Sequence, residues 1–196
     1  MGDDRAGIAL FALTAAAKAA TVLCGIDALL NGDSARLRGK AIRLRAIGYV
    51  GALAVVPVLW RLMPKRGRYP RELDFAVTIP LLLDAAGNAL GMYERAHIDD
   101  VVHLTNSAIV AGVAGALIAP HVDEPWQAAA AGAGVAIIAE SVWEVAEYVA
   151  WRLGANGMDL TYDDTMEDMI EGIAGAVIGG IFTLTRATRA RGTQRA

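Results

Sequence analysis

Residues 139–180 read AESVWEVAEYVAWRLGANGMDLTYDDTMEDMIEGIAGAVIGG. An apolar helix carrying Glu140, Glu144 and Glu147 gives way to a polar connector. A second apolar helix then opens with Asp164, Asp168 and Glu171. Each set is spaced by four and then three residues, so each stacks on one helix face. A helix-turn-helix sets the end of the first helix beside the start of the second, and the carboxylates are expected to meet near one membrane surface.

The apolar context of those acids runs through the whole chain. Of 196 residues, 55% are hydrophobic and the mean hydropathy is +0.40, more apolar surface than a soluble domain of this size can hide. A spanning helix needs roughly 20 mostly apolar residues. Six stretches qualify, at approximately Ala6–Leu30, Leu44–Met63, Asp74–Tyr93, Val101–His121, Trp126–Trp151 and Asp164–Arg186. The expected fold is all-α, a polytopic membrane helix bundle of about six transmembrane helices, with residues 1–196 forming a single integral-membrane domain. The first run follows Asp3-Asp4-Arg5, is long and contains Lys18, which reads as a retained helix and not a cleaved signal peptide. Cys24 is the only cysteine, so no internal disulfide is possible. No basic patch interleaved with aromatics points to nucleic acid. The expected partner is the lipid bilayer of a cell membrane.

Charge placement gives a weak orientation. Arg186, Arg189, Arg191 and Arg195 favour a cytoplasmic C-terminus, and six spans would then put the N-terminus on the same side. Two basic blocks, Asn31–Arg45 and Arg61–Arg71, flank the second run and compete for the same compartment. A surface-lying helix over Asn31–Arg45 would relieve part of that conflict.

Within the spans, ionisable residues are costly and therefore informative. Lys18 lies near the centre of the first run and Asp84 halfway along the third, so the two are expected to form a midplane ion pair, serving packing. The fourth run begins IDDVVHLTNS, with His103 four residues after Asp99 and three after Asp100. His97 and His121 fall in or beside loops and are expected to be solvated. In the sixth run Gly172, Gly175 and Gly179 form a small-residue face suited to close helix packing, and such faces could also serve an oligomer.

Because spans alternate in direction, the start of the fourth, the end of the fifth and the start of the sixth share one side of the membrane. Asp99 and His103 therefore join Glu144, Glu147, Asp164 and Asp168, with Glu140, Glu171 and Asp100 supporting or packing around them. Carboxylates this close in a low dielectric need protons or a cation among them. Oxygen ligands plus one imidazole suit a divalent metal such as Zn²⁺, Mn²⁺ or Fe²⁺. No HExxH, cysteine cluster or phosphate-binding glycine loop is present, and neither Ser107 nor Ser141 stands out as a nucleophile.

Three motifs, Asp99-Asp100-Val101-Val102-His103, Trp143-Glu144-Val145-Ala146-Glu147-Tyr148 and Asp164-Thr165-Met166-Glu167-Asp168-Met169, resemble in order and helical setting the YjdF-like family of predicted bacterial inner-membrane proteins, and more distantly the VanZ-like proteins. The resemblance covers about residues 79–180. It implies that Asp99, His103, Glu144, Glu147, Asp164 and Asp168 occupy the family's polar positions. Asp100 and Met166 depart from the basic residue and the glutamine usual there, and Met166 removes a polar group from the pocket.

Three functions fit this sequence. One is an interfacial metal centre with a hydrolytic or redox role on a lipid-like substrate. The second is a proton-coupled transporter or channel gated by Lys18 and Asp84. The third is a structural protein whose acids form a satisfied polar network.

Overall fold

A computed structural model describes residues 2–62, 68–94, 98–158 and 160–195. The second basic block therefore has Lys65 and Arg66 outside the described residues, as is His97. The helices are α1 (Gly2–Asn31), α2 (Ile42–Ala52), α3 (Val55–Leu62), α4 (Arg71–Ala89), α5 (Ile98–Ile118), α6 (Pro125–Arg152) and α7 (Tyr162–Arg195). Five stretches are long and apolar enough to cross a bilayer: Arg5–Asn31, Ile42–Leu62, Ile98–His121, Pro125–Arg152 and Tyr162–Gly192. The third predicted run, Asp74–Tyr93, is helical over Arg71–Ala89 but does not join them. Its buried face carries Asp74, Thr78, Asp84 and Asn88, polar groups that a lipid-facing span would not hold.

The chain packs as two compact units, one of residues 1–98 with 154–158 and one of 99–153 with 159–196. In the first, α1 presents Thr14, Ala17, Thr21, Gly25 and Ala28 as a buried stripe. The spacing of three and four keeps these small residues on one face, while Phe11, Leu13, Leu23 and Leu30 on the other faces are exposed, as lipid contact requires.

The expected surface helix over Asn31–Arg45 does not form. Residues 32–41 make successive turns, with Gly39 and Ala41 at positive φ. Leu37 from these turns packs with Ala28, Ile42 and Ala46. Two of the arginines that made this stretch look surface-bound, Arg36 and Arg43, are held in local ion pairs instead. Arg36 grips both carboxylate oxygens of Asp27 and Arg43 grips those of Asp33 at 3.2 and 2.7 Å. The fully exposed Asp33 carboxyl is held below its usual range by the Arg43 hydrogen bonds and charge.

The second span is broken. α2 ends at Ala52, α3 starts at Val55, and the four-residue helical bond that Leu53 O should accept would come from position 57, which is Pro57 and has no N–H. The Lys18 Nζ, at the middle of α1, donates to that carbonyl at 3.0 Å and to Asp74 Oδ1 at 2.7 Å. The expected Lys18–Asp84 pair is thus replaced by Lys18–Asp74. Asp84 instead accepts from the Tyr49 hydroxyl, from Tyr93 at 2.6 Å and from Asn88 at 3.2 Å, with Arg45 at 3.7 Å.

The second unit is α5, α6 and α7 around a centre of Ala111, Ala136 and Ala176, each at most 1% exposed. Glycine lets the backbones approach. A Cβ on Gly132 would stand 2.7 Å from the amide nitrogen of Gly115, and one on Gly179 would stand 2.7 Å from Cβ of Ala111. The predicted small-residue face of α7 is therefore used inside this unit, against α5. α6 starts with a reciprocal cap in which Gln127 accepts from the Glu124 backbone at 2.9 Å. Trp143, Tyr148 and Trp151 lie exposed toward its other end, where an aromatic girdle meets headgroups.

Candidate functional site

Three helices each contribute a residue to one polar cluster in the second unit. The first turns of α5 supply Asp99 and His103, the second half of α6 supplies Glu140 and Glu144, and the second turn of α7 supplies Asp168. All but Asp99 are buried. Asp99 has a side chain 41% exposed, and it opens the cluster at the N-terminal end of α5.

The imidazole of His103 is the hub. Its Nδ1 hydrogen-bonds Glu140 Oε1, and Ser107 donates to the other oxygen, Oε2, at 2.9 Å. Glu140 is thereby satisfied and fixes the ring. On the opposite side, Nε2 lies 3.4 Å from Asp99 Oδ1 and 3.7 Å from Asp168 Oδ1. Glu144 Oε1 lies 4.0 Å from Nδ1. Glu144 is 6% exposed, and neither of its oxygens has a hydrogen-bond partner among the described residues. A buried carboxylate in that condition is rare, since burying an ionised group without compensation is strongly unfavourable.

Among the described residues, ligand atoms gather within 4.8 Å of one another in two sets that share His103: Asp99, His103 and Asp168, and His103, Glu140 and Glu144. These buried acidic and imidazole groups could hold a metal ion. The ligands of a tetrahedral ion at ~2.0–2.2 Å stand about 3.3–3.6 Å apart. The 3.4 and 3.7 Å separations at Nε2 are close to that range and longer than good hydrogen bonds of ~2.7–3.2 Å.

The predicted cast is partly rearranged. Asp99, His103, Glu144 and Asp168 come together as the motif spacing implied. Glu140, expected only to support or pack, touches the imidazole directly. Glu147 and Asp164 are half-buried one helical turn from Glu144 and Asp168, have interactions of their own, and belong to neither ligand set. Asp100 and Glu171, also half-buried, are likewise outside both. His121 is exposed as expected. Lys18 and Asp84 take no part in this cluster.

Two residues were missed. Ser107 holds Glu140, and Gly172 makes room for it, because a Cβ there would lie 2.5 Å from Glu140 Cγ. Both follow a motif residue by four positions, Ser107 after His103 and Gly172 after Asp168, as Glu140 precedes Glu144 by four. Asking what stands one turn from each motif residue would have found all three.

No curated protein and no solved structure matches the chain. A family described as "Predicted membrane protein (DUF2238)" does, over residues 10–189. That family is consistent with the YjdF-like resemblance, and the match does not show the more distant VanZ-like one. Its match takes in most of both units, three of the five apolar spans whole and most of the first and last, so the chain belongs to this family of predicted membrane proteins.

Proposed function

We propose that the second unit holds a divalent metal ion on Nε2 of His103, with Asp99 and Asp168 as carboxylate ligands. Glu140 accepts the Nδ1 proton and so fixes the tautomer that leaves Nε2 free to ligate, the usual carboxylate–histidine–metal arrangement. Zn²⁺, Mn²⁺ and Fe²⁺ suit this donor set. Three protein ligands leave positions for water and substrate. The observation that carries the reading is the pair of carboxylate oxygens at His103 Nε2, Asp99 at 3.4 Å and Asp168 at 3.7 Å, in a cluster that also buries Glu144 with two unpartnered oxygens. A cation is what such a surplus of negative charge calls for.

The chemistry that follows is hydrolytic. An ion held by His103, Asp99 and Asp168 would supply Lewis acidity, and Glu144 would be the nearby carboxylate able to act as a base. Hydrolysis of an ester or phosphoester there would add the oxygen of water to the acyl or phosphoryl group and return a proton to the leaving alcohol. Because Asp99 opens the site at the start of a membrane-spanning helix, the substrate class is lipid-like, with its head at the interface.

The test is metal analysis of detergent-purified protein prepared without chelators. About one divalent ion per chain is expected, lost in His103→Ala and Asp168→Asn. Equal, substoichiometric metal in all three proteins would overturn the reading.

A further inference from the structure

A groove of about 260 Å³ in the first unit is lined by Phe11, Thr14, Ala15, Lys18, Arg71 and Asp74, with Tyr69 at its side. It is too small to enclose a whole ligand, for which ~300–1,000 Å³ is usual, and its α1 wall includes the exposed Phe11 and Ala15. It fits part of a molecule whose remainder lies in the bilayer.

Its charges are unevenly settled. Asp74 is fully engaged, with Lys18 on Oδ1 at 2.7 Å and the Tyr69 hydroxyl on Oδ2 at 2.8 Å. Burial and the Asp74 carboxylate push the Tyr69 phenol well above its usual value, so it stays a donor. Lys18 also donates to Leu53 O, leaving its alkyl stem to line the groove. Arg71 is the cation that remains: among the described residues no acid pairs with it. Its guanidinium lies beside Gly7, where a Cβ would be 2.8 Å from Nη1. That sets it near the N-terminal end of the Arg5–Asn31 span, in the first turn of α4, where the helix dipole adds positive potential.

A second marker gives the depth. Trp60 and Tyr69 meet edge to face, with ring centroids 5.3 Å apart, and such aromatics collect at headgroup level. From Gly7 to Lys18 the groove wall descends about 16 Å at ~1.5 Å per residue, into the hydrocarbon layer.

We propose that this groove binds one anionic phospholipid of the surrounding bilayer, its phosphate on Arg71 and the upper part of an acyl chain between Phe11 and Ala15. Arginine suits the phosphate because its planar fork donates two parallel hydrogen bonds. The site is separate from the proposed metal cluster and does not depend on it.

Native mass spectrometry of the full chain, titrated with phosphatidylglycerol or phosphatidylcholine, tests it. One phosphatidylglycerol per chain is expected to persist after phosphatidylcholine has dissociated. Arg71→Gln should weaken that binding about five- to tenfold, while Arg71→Lys retains part of it and Arg61→Gln changes nothing. Ala15→Trp should displace the lipid with Arg71 intact, its helicity checked by circular dichroism. Equal retention of both lipids, or phosphatidylglycerol retention unaffected by Arg71→Gln, would overturn the proposal. So would unaffected retention in a helical Ala15→Trp protein.

Discussion

Asp84 in the first unit and Glu144 in the second are equally buried carboxylates, 7% and 6% exposed, in opposite circumstances. Asp84 receives two tyrosine hydroxyls, an amide and a nearby guanidinium. Glu144 receives nothing among the described residues. The same chemical group is a finished structural joint in one place and an open demand in the other. Burial alone therefore does not mark a functional acid in this chain. What separates the two is whether the fold supplies donors.

That contrast is sharpest in stability. Asp84→Ala should cost about 3–5 kcal/mol, because it removes the buried carboxylate on which Arg45, Tyr49 and Tyr93 converge. Thermal unfolding in detergent reads this, and a loss near zero would make Asp84 no different from Glu144. The opposite sign is expected for Glu144→Met with a chelator present. Removing an uncompensated buried charge should stabilise the metal-free protein by about 1–3 kcal/mol, while metal-dependent stabilisation weakens. If Glu144→Met destabilises the chelated protein, Glu144 has partners of its own and the contrast fails.

Two smaller effects refine it. Gly172→Ala crowds Glu140 and should loosen the hold on the imidazole, weakening metal binding about tenfold with little change in helicity. Competition titration with a chromophoric chelator measures this. At the bottom of the scale is Asp33, whose pairing with Arg43 is fully exposed. Its folded pKa is depressed, so its contribution exists above the unfolded carboxyl pKa and fades as pH falls through the folded one. Screening keeps it small, and Asp33→Asn should leave the unfolding midpoint at pH 7 unmoved. A clear shift would show that exposed pairs matter here as much as buried ones.

Helix periodicity and span direction made part of the second unit legible in the sequence. Acids at intervals of three and four fix the faces, and alternating spans fix which ends meet, so Asp99, His103, Glu144 and Asp168 could be assembled by counting. The first unit resisted counting for physical reasons. Lys18 was matched to Asp84 on the assumption that each span is a continuous rod centred in the bilayer. Pro57 breaks the second span, and the carbonyl it frees draws Lys18 away together with Asp74. The tyrosines that occupy Asp84 come from α2 and from the short turn after α4. Glu140 was given only a supporting or packing role. The reach of His103, one imidazole able to use both its nitrogens, brings it into direct contact.

The Leu53 break also bears on how the chain enters a membrane. An unpaired carbonyl in hydrocarbon is worth several kcal/mol against insertion, and no amide of α3 can answer it. The answering ammonium belongs to α1, which is synthesised first. The first two spans therefore settle as a pair: the earlier one brings a charge it could not easily keep alone, and the later one brings the defect that gives that charge a place.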